Sequence, residues 1–188
     1  MPSPSLRPRI YLAGPDIFLA ASAQRFQALK AACARHGLEG LEPSDGGIPA
    51  DFAGSDDERA QRIYQANLLR IQQADAVLAH LCDFRGLEPD SGTVFEVGYA
   101  AALGKPIAAY GVAAQSYATR VAAVRRCATD ADGTLRECDS GTIVEGLGQR
   151  LNLMLTGAAT LHASPAEALA WLAQALRVGA SGPGGRNG

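Results

Sequence analysis

One run of eight residues, Ala74-Asp-Ala-Val-Leu-Ala-His-Leu81, narrows the fold of this chain most. It is apolar almost throughout instead of alternating, which suits a strand of a parallel sheet covered on both faces. Arg9-Ile-Tyr-Leu-Ala13 has the same character and is stopped by Gly14-Pro15; Lys105-Pro-Ile-Ala-Ala-Tyr110 is a third such strand. Leu38 to Leu41 is a short fourth. Helical patterns lie between them. Residues 20–36 carry Phe26, Leu29, Ala32 and Cys33 on one stripe and end at Gly37. Ser55-x-x-Glu58 opens a helix to about residue 73, with Ile63, Ala66, Leu69 and Ile71 near helical spacing. Thr93-x-x-Glu96 opens another that Gly104 stops, residues 113–126 are helical, and Ser164-Pro-Ala-Glu167 starts a last helix to about Val178. Segments 43–56, 82–92 and 128–142 are loops by composition. Strand alternating with helix demands right-handed crossovers. The expected fold is therefore α/β: a single doubly wound, flavodoxin- or Rossmann-like parallel sheet with helices on both faces. It spans residues 8–178, and the Gly-, Pro- and Ser-rich stretches 1–7 and 179–188 are expected to be flexible.

Charge and composition exclude several classes. With 17 Lys and Arg against 19 Asp and Glu, the formal charge is −2, which offers no footprint for nucleic acid or an anionic membrane. No apolar stretch approaches the roughly 18 residues of a membrane span. The first ten residues lack the apolar region of a signal peptide, so a cytoplasmic protein with reduced thiols is expected. The four cysteines form no C-x-x-C, and His36, His80 and His162 have no ligand spacing. No metal and no cofactor are expected.

In a doubly wound sheet, ligands sit beyond the carboxyl ends of the strands. Those ends are Ala13-Gly14-Pro15-Asp16, the 82–92 loop and the segment after Tyr110. Glu96 falls in the first turn of its helix, where unpaired N–H groups and the macrodipole favour negative charge. An ionised carboxylate there is a candidate nucleophile at a sugar carbon. Asp90 lies six residues earlier, and Gly92 lets the backbone come close between them. Two carboxylates around one cleft suit glycosyl chemistry. The same Thr93-x-x-Glu96 spacing also describes a capping box, in which Glu96 would serve only the helix.

Ile10-Tyr-Leu-Ala-Gly-Pro-Asp-Ile-Phe18, the 74–81 run, and Asp90-Ser-Gly-Thr-Val-Phe-Glu-Val-Gly-Tyr-Ala100 before Gly104-Lys105-Pro106 together resemble the nucleoside 2-deoxyribosyltransferase family, over about residues 8–156. The resemblance implies a double displacement. Glu96 would form a deoxyribosyl ester and release the base, and a second base would then take the sugar with retention. It makes Tyr11 the group that orients Glu96 and Asp90 the holder of sugar hydroxyls. Gly14, Asp16, Phe18, Asn67 and Gly92 would surround the substrate, Phe18 by stacking on the base. Asn152 and Met154 would complete a neighbouring subunit's site. The implied partners are a nucleoside and a free nucleobase, and the implied assembly is a homo-oligomer with shared sites.

The chain departs from the family pattern in three places. Asn67 stands eight residues before Asp75, where the family commonly carries an Asp that protonates or binds the base; an amide delivers no proton at neutral pH. The Gly-rich tail lacks a terminal aromatic residue, and Val144-Glu-Gly-Leu-Gly148 matches only in part. No G-x-x-x-x-G-K-[ST] and no Arg/Ser cluster after Tyr11 suggests a phosphate cradle, which favours a nucleoside over a nucleotide. Two other functions stay open: an N-glycosidase of the same architecture, in which water takes the sugar, and a non-catalytic nucleoside-derivative sensor.

Overall fold

The computed structural model describes residues 7–45 and 51–180. Five parallel strands, β1 (Arg9–Ala13), β2 (Glu39–Leu41), β3 (Ala76–His80), β4 (Ile107–Tyr110) and β7 (Thr160–Leu161), form one sheet in the order β2-β1-β3-β4-β7. The connections carry α1 (Ser22–Arg35), α2 (Asp56–Gln73), α3 (Ser91–Ala102), α4 (Tyr117–Val124) and α5 (Leu153–Ala158), and α6 (Pro165–Ala180) closes the chain. Side-chain alternation along each strand divides the core in two. Ile10, Leu12, Ala76, Leu78 and Ala108 pack beneath α1 and α6, where Phe26, Leu169 and Leu172 meet them. Tyr11, Ala13, Val77, Ala79 and Ala109 face the other way, against Ile71 of α2, Val97 of α3 and Leu155 of α5. Each Leu or Ile held out of water this way contributes about 1.5–3 kcal/mol. The doubly wound fold expected from the sequence is the one observed. The chain leaves β1 toward β2 and returns on the other side as β3. The carboxyl ends of β1 and β3 therefore part, and a crevice opens there.

Several local expectations are corrected. Residues 128–142 are not all loop: β5 (Cys127–Thr129) and β6 (Leu135–Glu137) pair antiparallel around Asp132-Gly133, with Gly133 at φ 85°. Both strands are three residues long and poor in β-branched side chains, so only the Asp-Gly turn marked them. Asn152 caps α5, its Oδ1 accepting the Met154 N–H at 3.0 Å, and the fifth strand of the sheet follows that helix. Ile63 and Leu69, expected in the core face of α2, are 48% and 52% exposed; only Ile71 of that stripe is fully buried. The expected flexible ends lie outside the described residues, apart from Arg7 and from Gly179 and Ala180, which continue α6.

The loop over the crevice is strapped down by one buried cation. Arg120, 8% exposed, donates from Nη1 to Asp83 Oδ1 at 2.7 Å and to the Leu87 carbonyl at 2.9 Å, and from Nη2 to the Arg150 carbonyl at 2.9 Å. Arg150 in turn donates to the Val112 and Ala113 carbonyls. Asp83 thus pairs with Arg120 and not with its neighbour Arg85, whose guanidinium lies over the Phe84 ring. Arg120→Ala leaves two carbonyls and a carboxylate without their donor and should lower stability by about 2–3 kcal/mol, read as an earlier midpoint in urea unfolding.

Candidate active site

β1 carries Tyr11 on the face toward α3, fully buried, and its hydroxyl donates to Glu96 Oε1 at 2.5 Å across 85 residues of sequence. α3 is placed by its cap. Asp90 Oδ2 accepts the Thr93 N–H at 2.9 Å and the Thr93 hydroxyl at 3.0 Å. This corrects the expected capping box: the cap is Asp90, three residues before Thr93, because its carboxylate takes both the free N–H and the hydroxyl. Glu96 therefore lies in the second turn of α3, past the unpaired N–H groups that were expected to favour its charge. Its electrostatics run the other way. Burial pushes the Glu96 carboxyl up to about 7; the Tyr11 hydrogen bond opposes the rise and the charge of Asp90 adds to it. Tyr11 is held far above its ordinary range by burial and by the Glu96 charge, so it remains the donor.

A cavity of about 980 Å³ opens in front of Glu96, which suits a ligand of nucleoside size. Gly14, Phe18, Asp90, Gly92 and Glu96 line one side, and Asn67 faces it from α2. Tyr11 stands behind Glu96. Phe18 is 64% exposed, with its ring 5.9 Å from that of Phe84.

Besides Tyr11, three expected site residues are not in the cavity wall. Asp16 is 3% exposed and accepts from Arg25 Nη1 at 3.2 Å, while its Oδ2 lies 2.7 Å from His80 Nδ1. Burial pushes its carboxyl up, but His80 and Arg25 outweigh that and hold it below the usual carboxylate value. Asn152 donates to Glu145 Oε2 at 3.0 Å while capping α5, and Met154 is 72% exposed beside it. Glu145 also accepts the Leu153 N–H at 2.8 Å, which gives the partly matching 144–148 segment a part in seating α5.

Sequence reasoning passed over two groups. His80 stacks on Tyr110 with ring centroids 4.6 Å apart and is wedged between two glycines. A Cβ at Gly14 would lie 2.8 Å from His80 Cβ, and one at Gly111, where φ is 81°, would lie 2.5 Å from His80 Cδ2. The other group is Arg59, Arg62 and Arg70 of α2, which line the cavity opposite Asp90. Their spacing around Ile63, Ala66 and Asn67 was the available signal, since 59, 62, 66 and 70 recur on one helical face.

The sequence pattern described as nucleoside 2-deoxyribosyltransferase matches residues 10–154. The chain belongs to that family. An uncharacterised protein of Schizosaccharomyces pombe is 29% identical over 161 residues, spanning 80% of this chain and 76% of its own. Among solved structures, a 2-deoxyribosyltransferase from Leishmania mexicana superposes with a TM-score of 0.67 at 27% identity, over 89% of this chain and 97% of that one. A conserved protein from Enterococcus faecalis shares the fold, with a TM-score of 0.59 at 18% identity over 89% and 98% of the two chains. Family membership makes this an enzyme of glycosyl transfer or release, acting on nucleosides and nucleobases. No helix of the described residues is long and apolar enough to cross a membrane.

Two outcomes follow for stability. Asp90→Ala should cost about 1 kcal/mol through loss of the cap, whereas Asp90→Asn retains an acceptor and should unfold near the wild-type midpoint. Glu96 has a folded pKa above its unfolded one, so its contribution is fully present below about 4.5 and is lost as pH rises through about 7. Glu96→Gln escapes that loss. Its melting temperature should match wild type at pH 5 and exceed it at pH 8.

Proposed function

We propose that this enzyme transfers 2-deoxyribose between nucleobases by double displacement through an ester on Glu96. A carboxylate oxygen of Glu96 attacks C1′ while the bond from C1′ to the base nitrogen breaks, and the electron pair leaves with the base. The ring nitrogen of a second base then attacks C1′ from the vacated side, the carboxylate departs, and the incoming base loses its proton to water. Two inversions give net retention. The observation that carries the reading is the Tyr11–Glu96 hydrogen bond at the floor of the cavity. It fixes the rotamer of the carboxylate and leaves Oε2 to react, as a positioned nucleophile requires.

The remaining residues take roles around that atom. Asp90 commits Oδ2 to Thr93, which leaves Oδ1 for a sugar hydroxyl. Gly14 and Gly92 keep the walls low beside the sugar, and Phe18 at the mouth offers a face for the base. Asp16 works from behind, by holding His80 against Gly14. Asn152 and Met154 at the exposed start of α5 are proposed to reach the site of a second copy in a homo-oligomer. The enzyme is placed in the cytoplasm. Asn67 favours one alternative, hydrolysis, because the amide brings no carboxyl to the second base and water competes for the ester.

Incubation with deoxyuridine and free hypoxanthine separates the readings: deoxyinosine is expected, and free sugar alone across several base pairs would overturn transfer in favour of hydrolysis. A slowly turning 2-fluoro-deoxynucleoside should leave its sugar on the peptide that contains Glu96, seen by mass spectrometry. Glu96→Gln should lower turnover by about 10³-fold or more.

Because the carboxylate is the reactive form, kcat/KM should fall as pH drops below about 7 and level off above it. Tyr11→Phe removes the contact that opposes the rise, so its inflection should move to higher pH.

A further inference from the structure

The wall of the cavity opposite Glu96 is built from α2, and it donates hydrogen bonds far more readily than it accepts them. Arg59, Arg62, Asn67 and Arg70 all line it. Asn67 has one acceptor, Oδ1, and that atom takes a hydrogen bond from Arg70 Nη1 at 3.3 Å. One lone pair of that oxygen is thereby engaged, and the NH2 group adds two donors. The guanidinium groups of Arg59 and Arg62 lie over the ring of Phe52, at 5.5 and 4.6 Å from its centroid. Glu58, next to Arg59 in sequence, is held in the cap at Ser55. The acids among the described lining residues are Asp90 and Glu96, across the cavity. The cavity thus has an acidic end, where the sugar reacts, and a cationic end that faces the departing base.

We infer that Asn67 and Arg70 form a donor-rich recognition edge that favours keto bases and takes up the negative charge of the base as it leaves. The inference rests on the preceding reading, in which Glu96 displaces the base from C1′. As the C1′–N bond breaks, its electron pair passes into the base ring and onto a carbonyl oxygen. Among the described residues no acid stands on this wall, and arginine does not give up its proton in this range. Arg70 and the Asn67 NH2 act by charge and hydrogen bonding instead, and the released anion takes its proton from water. The charge of Arg70 is already felt at the Tyr11 phenol beside the nucleophile. A 6-oxopurine or a 2,4-dioxopyrimidine presents acceptors to such an edge. Adenine and cytosine turn an amino group toward this edge, where the arginines offer no acceptor, and a poorly matched donor is costly once water is excluded.

The test is a leaving-group series on the full-length protein. Base release from deoxyinosine, deoxyuridine and 5-fluorodeoxyuridine is compared with release from deoxyadenosine and deoxycytidine, in wild type, Arg70→Gln, Arg70→Lys and Asn67→Asp. Wild type should favour the keto bases. Arg70→Gln should slow deoxyuridine by about a hundredfold and the more acidic 5-fluorouracil substrate clearly less, with Arg70→Lys in between. Asn67→Asp should shift preference toward the amino bases. A wild-type preference for adenine and cytosine, or an equal loss on all substrates in Arg70→Gln, would overturn the inference. The wild-type series alone decides should a variant fail to fold. Labelling of Glu96 by the 2-fluoro-deoxynucleoside separates the two claims. A labelled Glu96 with no leaving-group effect sinks only the donor edge, whereas an unlabelled one sinks the reading beneath it.

Discussion

Everything in the site is referred to one short hydrogen bond, from Tyr11 on the first strand to Glu96 on the third helix. The bond exists only if β1 runs beside β3 in the observed register, with Tyr11 opposite Val77, and if α3 lies over that face of the sheet. It also sets the chemistry. A carboxylate sunk this deep loses hydration and would be neutral at physiological pH. The phenol restores part of what water supplied, and the group is left balanced near neutrality. The proposed nucleophile, which must also depart, is well served by that balance: basic enough to attack, acidic enough to leave.

The cap at Asp90 shows how tightly fold and chemistry are joined. One oxygen of that carboxylate begins α3 and so fixes where Glu96 falls along the helix. The loop that delivers Asp90 is fastened by Arg120, whose guanidinium spans the connections that follow β3 and precede α5. The two acids are thus positioned by different parts of the chain that meet at a single helix start.

Much of the scaffold was legible in the sequence, for a physical reason. Strands covered on both sides must be apolar on both sides, so 9–13, 74–81 and 105–110 announced themselves, and Gly37 and Gly104 marked the ends of helices. The β5–β6 pair and β7 stayed hidden because two- and three-residue strands carry too little pattern. At the site, local spacing misled. Thr93-x-x-Glu96 has the form of a capping box, yet Asp90 was the better acceptor and shifted the helix start by three residues. The stripe on α2 resembles a core face because Ile63 and Leu69 are apolar, while the arginines interleaved with it line the cavity. A face that borders a cavity looks half like a core and half like a surface, and only the packing of α2 against its neighbours distinguishes the three.

The β5–β6 pair stands apart from the main sheet, held by its own ladder and by Arg136 to Asp130. None of the described residues that line the cavity belongs to this pair or to its Asp132-Gly133 tip. That bend is a natural graft point: a foreign peptide, a surface anchor or new chain ends placed there would leave the surroundings of Glu96 as they are.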